Sequence, residues 1–258
     1  MLTVNEVLPG VYHIRDALGV CMTLLCGGER ALLVDTGYGA EDAGAFVRSI
    51  TDKPVTVLLT HAHHDHALGA RWFERVLLFP QDAQGFAEYT SPQRRARVAQ
   101  QAQAAGIAVS EDYLTHVYSA PQTLLPGDIA LGGMTAQVRL CPGHTPGSAV
   151  VYVPERALLI TGDDWNPCTW LFFPEALGAQ AYRTNLRALL ELPFEHVLCS
   201  HQPALYPRAA LEAFAAGLTD DALRAARRVE MGLPCDTREA APAPGQIFVF
   251  DYGKAGLE

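Results

Sequence analysis

The sequence has no CxxC pair, no excess of positive charge, no basic stretch leading into an apolar core near its beginning, and no apolar run approaching the roughly 18 residues that span a bilayer. Each absence removes a class of protein. Six cysteines (Cys21, Cys26, Cys141, Cys168, Cys199 and Cys235) without paired spacing read as thiols in a reducing compartment, because 258 residues can build a core without a disulfide framework. A net charge of −9 disfavours RNA or DNA, whose phosphates are bound mainly by Lys and Arg. The opening segment, MLTVNEVLPGVYHIRD, lacks the pattern of a signal peptide, so the expected location is cytoplasmic, with no membrane partner. What is present is an ordinary globular composition, 49% hydrophobic and 18% charged, which argues against disorder.

Short Val/Leu/Ile runs ending in Asp, His or Gly predict buried strands at Met22–Leu25, Ala31–Val34, Val55–Leu59, Val76–Phe79, Ala149–Val153, Ala157–Ile160 and His196–Cys199. Helical patterns fall at Glu41–Ile50, Pro80–Gly106, Gln180–Leu192 and Pro207–Met231. Strands and helices alternate, which gives an α/β class. The run Ala31-Leu32-Leu33-Val34-Asp35-Thr36-Gly37 is echoed by Ala157-Leu158-Leu159-Ile160-Thr161-Gly162-Asp163, and each is followed by a strand ending in histidine, at His61 and His201. Two similar strand-strand-helix halves would bring four strand ends to one edge, where α/β proteins commonly bind ligands. The segment from about 80 to 118 interrupts this pattern as a helical insertion in a single domain spanning 1–258, a lid or an interface. The Ala/Pro stretch Glu239–Gly245 reads as a linker before a last strand, Ile247–Tyr252.

Four of the nine histidines fall within His61-Ala62-His63-His64-Asp65-His66. His61 and His63, two apart at the end of an apolar strand, point the same way in extended backbone. Asp65 and His66 follow where a helix begins, so they diverge toward a second position. His64, the unpaired fourth histidine, reads as a loop residue. Imidazoles with a carboxylate suit zinc first, with iron or manganese as alternatives. Further ligand candidates are His144 in Pro142-Gly143-His144-Thr145-Pro146-Gly147, Asp163 in Thr161-Gly162-Asp163-Asp164, and His201 in Cys199-Ser200-His201. Alone, each of these is weak, since a lone histidine is more often a structural hydrogen-bonding group.

Together with Leu33-Val34-Asp35-Thr36-Gly37, these motifs resemble those of the metallo-β-lactamase-fold hydrolase superfamily over most of the chain. The resemblance implies a four-layer α/β/β/α sandwich with the site on one edge. It implies two divalent metal ions, one held by His61, His63 and His144, the other by Asp65, His66 and His201, with Asp163 bridging. Asp35 would lie buried behind the ligands and orient their loops. A hydroxide shared by the metals would attack the substrate, with Asp65 orienting it and accepting its proton. Departures from subfamily patterns narrow the field. Asp163 stands where the best-known zinc β-lactamases carry Cys or Ser, His63 where flavodiiron proteins carry Glu, and neither a basic tRNA-binding extension nor the Arg-x-x-Lys of glutathione-thioester hydrolases is present.

The expected activity is hydrolysis of a small-molecule ester, thioester, lactone or phosphoester. The competing readings are a mononuclear iron enzyme resembling the persulfide dioxygenases and a non-catalytic metal-binding module. Tyr38, Trp165, Trp170 and Phe172 follow site motifs and are the candidate pocket residues, with core packing as their alternative. A homo-oligomer is left open.

Overall fold

A strand with no polar face needs cover on both sides, and Ala149–Val153 is buried at every residue. The computed structural model, which describes residues 1–257, supplies that cover with two stacked sheets and a helical layer outside each. The first sheet holds, in spatial order, β1 (Thr3–Leu8), β2 (Val11–Arg15), β3 (Cys21–Cys26), β4 (Ala31–Val34), β5 (Val55–Leu58), β6 (Leu77–Leu78) and β7 (Gln122–Thr123). The second contains β8 (Gly127–Ala130), β9 (Thr135–Leu140), β10 (Ala149–Val153), β11 (Leu158–Ile160), β13 (His196–Leu198) and β14 (Tyr206–Pro207). A third, small sheet joins β12 (Cys168–Leu171) to β15 (Arg227–Arg228), β16 (Thr237–Ala243) and β17 (Gln246–Asp251).

Leu25, Val34 and Leu58 of the first sheet share one buried cluster with Val138, Val151 and Ile160 of the second. On the outer face of the first sheet, Leu33 and Val57 pack with Val47 of α1 (Ala43–Ile50), a helix whose Asp42 cap accepts from the Ala45 N–H at 2.7 Å. On the outer face of the second, Val150, Leu159 and Val197 pack with Leu186 of α5 (Ala179–Leu190), Phe214 of α6 (Arg208–Gly217) and Phe248 of the third sheet. The result is an α/β/β/α sandwich. Among the described residues no helix is long and apolar enough to cross a membrane.

The duplicated sequence pattern is a duplicated geometry. In one half β3 pairs antiparallel with β4 and β4 parallel with β5; in the other, β10 pairs antiparallel with β11 and β11 parallel with β13. The carboxyl ends of β4, β5, β11 and β13 therefore share an edge. Backbone bonds lock it: the Ala149 N–H donates to the Thr60 carbonyl and the Cys21 N–H to the Ser200 carbonyl, both at 2.7 Å.

Three expectations fail locally. The segment Pro80–Gly106 is not one helix but a short 3-10 turn followed by α3 (Ala83–Tyr89) and α4 (Pro92–Ala104). Ser91 caps α4 and Pro92 opens it, and a proline there cannot continue the helix before it. Pro207–Met231 likewise breaks into α6, α7 (Asp220–Arg224) and β15. The break follows Gly217, where an added Cβ would lie 1.8 Å from the Pro242 carbonyl oxygen. The Glu239–Gly245 stretch is not a linker: residues 237–243 form β16, paired antiparallel with β17. Its proline, Pro242, falls where the register shifts between Ala240 and Ala243, a position that needs no ladder donor.

Candidate metal centre

Each candidate ligand sits just past a strand end. Beyond β5, His61 and His63 precede α2 (His64–Ala67), a single turn that carries Asp65 and His66. His144 rides a tight loop closed by the Cys141 N–H to Ser148 carbonyl bond (2.8 Å) and the Gly143 N–H to Thr145 carbonyl bond (3.0 Å). Asp163 follows β11 and His201 follows β13. Donor atoms of His61, His63 and His144 lie within 4.8 Å of one another, and so do those of Asp65, His66, Asp163 and His201. Asp163 Oδ2 reaches both groups, at 2.9 Å from His201 Nε2, 3.5 Å from His66 Nε2 and 3.7 Å from His144 Nε2. His64 belongs to neither group; its ring stacks on Tyr89 at 6.1 Å.

The orientation of the rings fits metal ions. His61 Nε2, His66 Nε2 and Asp163 Oδ1 are buried without a hydrogen-bond partner, a costly arrangement for polar atoms unless something else binds them. The opposite nitrogens are all held: His61 Nδ1 by Thr60 Oγ1 (3.1 Å), His66 Nδ1 by Asp35 Oδ2 (2.9 Å), His144 Nδ1 by the Trp170 carbonyl (2.7 Å) and His63 Nε2 by Glu175 Oε1 (2.9 Å). An acceptor behind each ring fixes the N–H outward and leaves a lone pair facing the cluster. This set of nitrogens and carboxylate oxygens suits zinc, iron or manganese.

Two buried carboxylates hold the loops. Asp35 adopts φ +65°, left-handed and uncommon for a non-glycine residue. It accepts from the Thr60 N–H (2.7 Å), Thr60 Oγ1 (2.9 Å), His66 Nδ1 (2.9 Å) and Ser200 Oγ (3.3 Å), so one side chain joins four chain segments. Asp82 accepts from the Ala62 N–H (3.0 Å), Thr145 Oγ1 (2.8 Å) and the Gly147 N–H (2.7 Å), tying the His61–His63 loop to the His144 loop. Gly147 is needed for that approach, since a Cβ there would lie 2.6 Å from Asp82 Oδ1. Nothing in the sequence marks Asp82, a single acid outside any motif. Glu175, behind His63, was equally silent.

Electrostatically the two groups differ. Burial, reinforced by neighbouring histidines, lowers His61 far below the usual imidazole range and brings His144 to about 4, so both are neutral and available as ligands near pH 7. His66 and His201 are raised: burial pulls them down, but Asp163 and Asp65, with Asp35 beside His66, outweigh it. For Asp65 and Asp163 burial pushes up, and the facing histidines bring both carboxyls below their ordinary range. Glu175 is also pushed up by burial, but hydrogen bonds from His63 and Tyr89 hold it at about 2.

The four candidate pocket residues separate. Trp165 does not line a pocket: it is fully buried against Tyr206 and Phe214, with its Nε1–H donated to Gln246 Oε1 (3.3 Å). The strand before it enters the second sheet's outer core, and that packing claims the indole. Tyr38 lies edge-on to His64 at 5.6 Å, and burial followed by the charge of Asp65 raises its phenol well above the ordinary range. Trp170 is 41% exposed and packs with Phe172 and Phe173. Phe173, absent from the sequence-based candidates, touches the site itself, 4.7 Å from the His63 ring and 5.5 Å from that of His144. A cavity of about 410 Å³ flanks His63, walled by Gln81, Gln84, Glu88, Tyr89, Pro174 and Glu175.

Comparison with known proteins identifies the family. Residues 15–201 match the family model of the metallo-beta-lactamase superfamily. The chain is 26% identical over 145 residues to the probable metallo-hydrolase YqgX of Bacillus subtilis, a match covering 54% of this chain and 63% of that protein. It is 25% identical over 199 residues to the acyl-coenzyme A thioesterase MBLAC2 of Gallus gallus, covering 66% of each. The chain thus spans somewhat under two thirds of the first curated relatives it matches. Among solved structures, TTHA1623 in a di-iron-bound form aligns with TM-score 0.56 and 26% identity, covering 77% of this chain and 94% of that one. The chain belongs to the metallo-beta-lactamase superfamily.

Proposed function

We propose that this protein is a binuclear metal-dependent hydrolase of small-molecule carboxylic esters or thioesters. The observation that carries the reading is the convergence of two complete donor groups with Asp163 Oδ2 between them. His61, His63 and His144 would hold one ion, and Asp65, His66 and His201 the other. Bound there, such ions would supply a water with its pKa lowered from ~16 to near 7 and a Lewis acid for the carbonyl. The chain's own groups do the rest. Asp65, kept ionised by His66, can orient the attacking water and take its proton at a carboxylate oxygen. Tyr38, kept protonated, can donate to negative charge developing on the substrate.

Trp170, Phe172 and Phe173 form an aromatic wall reaching the two histidine rings, which favours an apolar acyl group over a charged one. The thioesterase among the relatives supports the same bond type. The persulfide-dioxygenase alternative needs one iron and gives the group of Asp65, His66 and His201 no task.

The test is a panel of nitrophenyl esters of rising acyl length, acyl thioesters, a lactone and a phosphodiester, assayed before and after chelation. Ester or thioester cleavage should vanish on metal removal and return on reloading. Trp170→Ala should raise KM for long acyl chains by roughly tenfold, the low end of what one methylene is worth in an apolar pocket. Activity confined to the phosphodiester, or indifferent to chelation, overturns the proposal.

A further inference from the structure

His63 is held from both sides. Its Nδ1 lies 2.9 Å from His144 Nε2, inside the group shared with His61. Its Nε2 lies 2.9 Å from Glu175 Oε1. A carboxylate only accepts, so the single proton of the neutral ring sits on Nε2 and the Nδ1 lone pair faces the metal position. With Glu175 removed, the ring keeps its packing against Tyr89 and Phe173 but loses the acceptor that places its proton on Nε2.

The same Oε1 accepts from the Tyr89 hydroxyl. Tyr89 is the last residue of α3, inside the helical insertion, and only 7% exposed. Its ring meets that of His63 at 4.6 Å and 64°, and the Arg94 guanidinium at the start of α4 lies 4.8 Å over it. Tyr89, Glu175 and His63 all border the 410 Å³ cavity, so the contact forms one wall of the approach to the site.

We propose that Glu175 is a positioning residue for the first metal ion and Tyr89 its anchor: together they fix His63 with Nδ1 toward the metal and couple the helical insertion to the metal centre. This rests on reading His61, His63 and His144 as ligands.

The test is metal affinity in the full chain, by Zn²⁺ titration against a chromophoric chelator. It compares wild type with Glu175→Leu, Glu175→Gln and Tyr89→Phe, each repeated in a His201→Ala background to identify the step that belongs to the three-histidine site. Glu175→Leu should weaken that site by roughly 10–100-fold, the usual effect of losing a partner behind a ligand, and leave the other site within about threefold. Glu175→Gln, which keeps an acceptor oxygen, should recover most of the loss, and Tyr89→Phe should show a smaller loss in the same direction. Equal affinity in Glu175→Leu and wild type overturns the positioning role. So does a parallel loss at both sites with a lowered melting temperature of the metal-free protein, which would mark Glu175 as a general structural contact. Wild-type affinity in Tyr89→Phe overturns the coupling to the insertion. Wild-type protein that takes up no metal overturns the hydrolase reading itself, whatever the variants do.

Discussion

Asp65→Ala is expected to lower kcat of the metal-loaded protein by roughly 10²–10⁴-fold, the range for losing a positioned proton acceptor, while the metal-free fold survives. The two halves of this result have separate causes. Asp65 stands on the one-turn helix α2, its side chain 13% exposed, and its ion-pair contacts among the described residues are with His66 Nε2 (3.6 Å) and His201 Nε2 (3.5 Å). It holds no loop together, and its removal relieves repulsion from Asp163. The catalytic loss is larger because, in the proposed mechanism, Asp65 would both ligate the second ion and take the water's proton. Steady-state kinetics with thermal melts of the metal-free variant measures both. Wild-type-like turnover would remove Asp65 from the mechanism, and an unfolded variant would show that it supports the fold.

Asp35→Ala should do the opposite and unfold the protein easily. Breaking a buried charged network by removing one partner costs about 3–5 kcal/mol, and here four donors from three other segments lose their acceptor. Alanine is also poorly suited to φ +65°. Asp35→Asn separates the two contributions. Asparagine tolerates the left-handed backbone and keeps one acceptor oxygen, so its stability loss should be smaller, but its weaker hold on His66 Nδ1 should cost roughly 10–100-fold in affinity at the second metal position. Denaturant unfolding of metal-free protein and metal titration check the pair. A cost below about 1 kcal/mol for Asp35→Ala would mean that Asp35 does not hold the edge together.

The convergence of the candidate ligands was legible because they follow buried strands, and buried strands announce themselves as apolar runs. His61, His63, Asp65 and His66 also cluster in sequence, while His144, Asp163 and His201 gained meaning from the duplicated strand pattern that places their loops on one edge. Of the groups behind them, Asp35 was legible through its motif and does hold His66 Nδ1, whereas Asp82 and Glu175 were not. Asp82 and Glu175 are single acids outside any motif, and only the folded chain brings them to Thr145 and His63 from 63 and 112 residues away in sequence. Trp165 followed a ligand by two residues and so read as a pocket wall, yet chain proximity does not decide which way a side chain turns once a core can take it. The β16 hairpin was hidden by its Ala/Pro composition, because pairing partners and a bulge for Pro242 exist only in the folded sheet.

The proposed hydrolase needs two metal positions in one chain. Elemental analysis of protein purified without added metal, then reloaded and desalted, tests this most directly. It should return two equivalents of zinc, iron or manganese per chain, and one equivalent once His201 is replaced by alanine. Fewer than one equivalent in the wild-type protein, or a single equivalent unchanged by His201→Ala, would contradict it.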